Sequence, residues 1–201
     1  GPISSVEFRN TNIVLWHSWS DEDAQTLTFV INRFEDIFTE TRVIHTFIPA
    51  NDILERYISA AEQGLGPDIL IGPHDWTYEL ADAALIRAVN TDLIDTSIYY
   101  ASALTPMMRS DGALYGIPLS MQPQALYYNT ALVESPAQTL TNLLEDAQAG
   151  QGVAINMRFD ASLWGLQAFG GEIFDDNGRV ILDQGGLTNW LNWLRINSDA
   201  P

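Results

Sequence analysis

Two short stretches of the chain concentrate side chains that can do chemistry. In the first, His17-Ser18-Trp19-Ser20 runs into the acids Asp21 and Glu22. In the second, Gly72-Pro73-His74-Asp75-Trp76 ends on a carboxylate beside an indole. Such combinations suit a polyhydroxylated ligand: the apolar C–H face of a sugar ring lies on tryptophan, and its hydroxyls donate to a carboxylate. Aromatics with carboxylates also suit cations, so a polyamine is the competing ligand. Each side chain has a plainer reading too. Tryptophan often packs in cores, and Trp16 is assigned there. Ser20 is a good helix N-cap, with Asp23 three residues on completing a capping-box pattern. Asp21 and Glu22 suit the positive end of a helix dipole, and Asp75 is itself a candidate N-cap.

Catalytic alternatives are poorer. Asp75 with another acid could form a hydrolytic carboxylate pair, and His17, His74 and Asp75 could hold a metal. Neither comes with a tight motif such as HExxH, and the chain has no GxSxG nucleophile elbow. The residues therefore read as a binding site, with no catalytic residue, metal or cofactor.

The elements that must position these turns alternate. Asn12–Trp16 (12–16) reads as a buried strand, and 21–38 as a helix whose apolar face is Ala24, Leu27, Val30, Ile31, Phe34 and Phe38. A second strand is expected over 42–48, a helix from Asn51-Asp52 ended by Gly64, a third strand over 68–71 and a helix over 77–84. Further helical segments are expected at 91–95, 97–108, 138–149, 161–169 and 187–196. Strands are expected at 112–118, 125–128 and 153–156, and a hairpin joins 172–174 to 179–182 around Asp176-Asn177-Gly178. Three strand–helix pairs in the first half imply an α/β fold with a mainly parallel sheet. In such sheets ligands sit beyond the carboxyl ends of the strands, where both chemistry-bearing turns fall.

Composition narrows the partners. The chain has 201 residues, 46% of them hydrophobic, enough to bury a core. Its 26 acids outnumber 9 basic residues, all of them Arg, and the net charge of −17 argues against nucleic acid and anionic membranes. Much of that charge also serves solubility. The absence of cysteine rules out disulfides, thiolate nucleophiles and Cys-type zinc sites.

The segments "IVLWHSWSDEDAQTL", "AAEQGLGPDILIGPHDWTYELADAALI", "LYGIPLSMQPQALYYNTALV" and "GLQAFGGEIFDDNGRVIL", in that order, resemble the extracellular solute-binding proteins of ABC importers, in particular the branch that binds maltose and other oligosaccharides. The resemblance implies a periplasmic-binding-protein-like fold of two α/β lobes: a first lobe over 3–116, then a hinge crossing and the first part of a second lobe over 117–201. It implies a non-enzymatic protein, extracellular or periplasmic, lipid-anchored in its precursor, delivering a sugar to ABC transporter membrane subunits. A ligand-sensing module cut from a signalling protein is the alternative.

The resemblance also extends the set of candidate ligand contacts. His17, Trp19, Ser20, Glu22, Asp75 and Trp76 come from the first lobe, and Asp75 matches a ligand-binding acid of the oligosaccharide branch. Gln122 falls where the family often carries a carboxylate, and its amide can still donate to and accept from hydroxyls. Arg158, Asp160 and Trp164 fall where the family lines its cleft. The likeness covers about the first half of a family member, in which the chain later returns a strand to the first sheet. An open slot in that sheet, exposed Trp190 and Trp193, and pairing with the missing half or a second copy of the chain are expected in consequence.

Overall fold

The computed structural model describes residues 11–175, 179–182 and 185–198, with the side chains of residues 159 and 160 excepted. The chain divides into two compact units, residues 1–121 and 122–201.

The first unit is built on β1 (Thr11–His17), flanked on one side by β2 (Thr41–Phe47) and on the other by β3 (Ile69–Leu70), all parallel. Strand alternation sends Leu15 and His17 of β1 and Val43 of β2 to one face. Helix α1 (Asp21–Ile37) covers that face, and its buried Leu27 and Ile31, one turn apart, pack on Leu15 with Trp19, Val43 and Ile71 around them. Val30 sits at the border of this stripe and is 56% exposed, which corrects its place on the apolar face. The expected capping box does not form. Ser20 occupies the N-cap position without a side-chain cap bond, and its hydroxyl instead donates to Asp21 Oδ2 at 3.2 Å. Asp21 takes a left-handed φ of 51°, a conformation aspartate tolerates better than most residues.

Helix α2 (Ile53–Glu62) ends as the sequence suggests. Gly64 has φ 70°, its N–H donates to Ala61 O at 3.0 Å, and Leu65 N–H donates to Ala60 O at 2.8 Å, a Schellman closure. The three described strands are contiguous, so no open slot separates them. After β3 comes the short α3 (Trp76–Asp82). The helices expected at 91–95 and 97–108 are instead 3-10 turns at Thr91–Leu93 and Thr96–Ile98, then α4 (Ala101–Leu104) and a 3-10 turn at Thr105–Met107. Asn90 and Asp95 explain part of this: each carboxamide or carboxylate oxygen accepts from the N–H two residues on, at 3.1 and 3.0 Å, an alternative to helical bonding. The segment 112–118 is no strand. It closes a tight turn through a single bridge between Met108 and Leu114, with Gly112 at φ 83°. Arg109 holds that turn on α3 by pairing with Asp82 at 2.5 Å and lying 5.4 Å from the Tyr78 ring centre.

The second unit contains α5 (Leu140–Gln148), α6 (Phe159–Ser162), α7 (Trp164–Ala168) and α8 (Gly186–Asn197). Thr139 caps α5, its hydroxyl accepting from Asn142 N–H at 3.1 Å. The helix expected over 161–169 is thus two pieces meeting at Leu163. Residues 125–128 and 153–156 form no strand; no described strand lies in this unit to pair with them, and Tyr127 is 92% exposed. Of the hairpin, the bridge Phe174–Val180 is present, while the turn residues 176–178 lie outside the described residues. The expectation of exposed tryptophans is corrected. Trp190 is buried, with ring centres of Trp164 at 5.0 Å, Trp193 at 5.2 Å and Phe169 at 5.9 Å, and Trp193 is half-buried. Gly165 makes room for this cluster: a Cβ there would stand 2.2 Å from the Trp190 ring. Trp190→Ala should therefore cost about 3–5 kcal/mol of stability in this unit, measurable by denaturant unfolding.

At the end of β1, His17 is buried, its Nε2 3.2 Å from Nδ1 of His45 on β2 and its ring 6.2 Å from that of Phe47. Burial and the neighbouring His45 both lower its pKa from the usual 6.5, with an opposing contribution from the Trp19 backbone. The unfolded chain then takes up a proton more readily than the folded one, so this histidine's contribution to stability is present above pH 6.5 and is lost as pH falls toward the lower folded value. Unfolding curves at pH 7.5 and pH 5 should show a smaller acid-side loss in His17→Leu than in the parent chain.

Candidate functional site

Parallel pairing on both sides of β1 gathers three strand ends at one edge of the sheet. Ile48 N–H, just past β2, donates to His17 O at 2.9 Å, and Ile71 N–H, just past β3, donates to Trp16 O at 2.9 Å. The turn through Ser18-Trp19-Ser20 and the turn through Gly72-Pro73-His74-Asp75 therefore leave adjacent strands side by side. This is the position at which open α/β sheets hold ligands.

Trp19 is half-buried and packs on the Leu15, Leu27 and Ile31 cluster, so it belongs in part to the core and offers only its remaining surface. Ser20 and Glu22 are exposed, and Asp21, Glu22 and Asp23 crowd the first turn of α1. Asp75 stands at the N-cap position of α3 but makes no side-chain cap bond, so the helix does not consume its exposed carboxylate. Trp76 follows, half-buried. His17 differs from the sequence expectation: strand alternation turns its ring inward, 2% exposed, against His45 and Phe47. His17, His74 and Asp75 form no metal centre; among the described residues no three metal-ligating side chains cluster.

In the second unit, Gln122 is exposed at the boundary between the units. Arg158 is exposed at the N-cap position of α6, its N–H donating to Asn156 Oδ1 at 3.1 Å. Asp160 lies in α6, and its side chain is outside the described residues. Trp164 is half-buried against Trp190, which gives it a packing role.

Sequence reasoning passed over His45 and Phe47. Both share a β2 face with Val43 at period-two spacing, opposite Leu15 and His17 in the register, and that alternation was the available signal. It also placed Trp16 in the core. Trp16 instead lines an open groove of about 600 Å³ with Asp52, Glu55, Arg56 and Ser59 of the α2 side, and none of the turn residues above contributes to it.

Several known proteins share this fold. The maltotriose-binding protein of Pyrococcus abyssi is 25% identical over 181 residues, covering 85% of this chain and 39% of that protein. The solved maltose-maltodextrin binding protein of Alicyclobacillus acidocaldarius is 26% identical with a TM-score of 0.70, over 94% of this chain and 54% of that one. A cyclo/maltodextrin-binding protein complexed with maltotetraose superimposes with a TM-score of 0.78 at 19% identity, over 98% of this chain and 55% of that one. The chain thus spans about half the length of the solved relatives, and less of the curated one. The architecture is periplasmic-binding-protein-like, an α/β fold with a parallel sheet. Residues 30–196 match the family described as bacterial extracellular solute-binding protein, and the chain belongs to that family.

Proposed function

We propose that the protein binds a carbohydrate, a maltodextrin-like oligosaccharide, without covalent chemistry, and that it does so outside the cell for delivery to an ABC importer. One observation carries this reading. Two adjacent strand-end turns each present a tryptophan beside acids, and at the second turn the Asp75 carboxylate is exposed with no helix cap bond to satisfy it. A carboxylate accepts strongly from hydroxyls, and an indole face suits the C–H side of a pyranose. The names of the relatives, which bind maltotriose and maltodextrins, support the same class of ligand.

In the first unit the contacts are Trp19, Ser20, Glu22, Asp75 and Trp76. For the second unit, Gln122, Arg158, Asp160 and Trp164 are carried by the family resemblance alone. Transport partners, a lipid anchor and a non-enzymatic role follow from the same family reading.

Calorimetry on the complete gene product, with a panel of maltodextrins and a panel of polyamines, tests the proposal. Binding of maltodextrins with heat and saturation is the expected result, and binding of polyamines alone would overturn it. Trp76→Ala should weaken the sugar by about 1 kcal/mol, the scale of one aromatic contact, with its cooperative unfolding preserved because a half-buried ring at a turn leaves no core cavity. Unfolding of that variant with undiminished residual affinity would make Trp76 a packing residue.

A further inference from the structure

Resting on the carbohydrate reading, we infer that Gly72 is a positioning residue, whose missing side chain sets the pose of the Trp76 indole at the second strand-end turn. The benzo ring of Trp76 lies directly over the Gly72 backbone. A Cβ at position 72 would stand 2.3 Å from Cζ3, 2.5 Å from Cε3 and 3.2 Å from Cη2 of that ring. Carbon–carbon contacts settle near 3.5–4.0 Å, so the ring and a methyl group cannot share this space.

The need for glycine here is steric and not conformational. Gly72 is absent from the positive-φ residues of the chain, so alanine can adopt its backbone. Pro73 follows and restricts position 72 to extended conformations, which alanine also tolerates. The turn itself is closed by backbone bonds, Trp76 N–H to Pro73 O at 3.4 Å and Thr77 N–H to His74 O at 3.0 Å, and neither involves Gly72. Substitution at 72 therefore acts on the indole before it acts on the fold.

The arrangement does two things for recognition. It replaces rotamer freedom of a large side chain by a seat, so less entropy is lost when a ligand orders the ring. It also folds the ring of the first α3 residue back onto Gly72, at the start of the turn that contains Asp75. An aromatic platform and a carboxylate then share the five-residue span 72–76, in which the pose of the ring depends on an absent methyl group.

The test uses Gly72→Ala, Trp76→Ala and the double variant. The first readout needs no ligand. In a nitrogen-15 correlation spectrum, the Trp76 indole N–H signal, assigned by its loss in Trp76→Ala, should move in Gly72→Ala while the Trp190 and Trp193 indole signals stay in place. An unmoved Trp76 signal would overturn the positioning role whatever the ligand is. The second readout is maltotriose affinity of the complete gene product. Gly72→Ala should weaken it by about 2- to 10-fold, and the double variant should bind no more weakly than Trp76→Ala alone. Losses that multiply in the double variant, or a Gly72→Ala affinity equal to that of the parent, would overturn the inference. If the parent binds polyamines and no sugar, the carbohydrate reading falls, and the indole shift still decides the seat.

Discussion

Everything at the site hangs from the carbonyl groups at the end of β1. A central strand must satisfy hydrogen bonds on both edges, and here Trp16 O and His17 O accept from N–H groups that lie just beyond β3 and β2 respectively. That single requirement draws two neighbouring chains level with the point where β1 turns into α1. The turn residues arrive next to one another because their strands do. The core beneath them, Leu15 with Leu27 and Ile31, fixes the height of α1, and Trp19 rests on the same cluster. Packing and presentation are thus continuous at this edge, and the half-buried state of Trp19 follows from it.

The part of the fold that was legible in the sequence is the part built on strong periodicity. The first strand, α1, β2 and α2 were readable because their apolar residues repeat at two or at three and four, and because Gly64 marks a helix end by a mechanism the structure reproduces. The helical segments expected over 91–95 and 97–108 are present only as short pieces, because Asn90 and Asp95 bind the backbone locally and break the run into tight turns. Segments 125–128 and 153–156 have strand-like composition, but a strand is a relation between two segments, and no described partner runs beside them. The spacing of Trp190 and Trp193 suggests a face in want of a cover. The cover is local, supplied by Trp164, Phe169 and Trp193, with Gly165 leaving the space.

At the site, residue types were easier to read than orientations. That Asp75 and Trp76 occupy a strand-end turn was visible from the order of elements. That Asp75 makes no cap bond was not, because capping depends on backbone angles, and Asp75 sits at φ −63° and ψ −19°, already helical and not extended as a capping residue is. Ser20 shows the converse: its backbone is extended at φ −117° and ψ 172°, yet its hydroxyl turns to Asp21. His17 shows how one step of strand alternation separates a ring in the core from one on the surface.

The brevity of β3 has its own consequence. It pairs with β1 over two residues, while β2 pairs over seven. Local opening free energies follow the number of protected backbone bonds, so amide exchange should proceed through β3 and the Gly72–Trp76 turn well before it reaches the β1–β2 ladder. The two turns at the site should then open in different cooperative units. Trp19 packs on the core beside the seven-residue ladder, while Trp76 follows the two-residue one, so exchange should reach the second turn before the first.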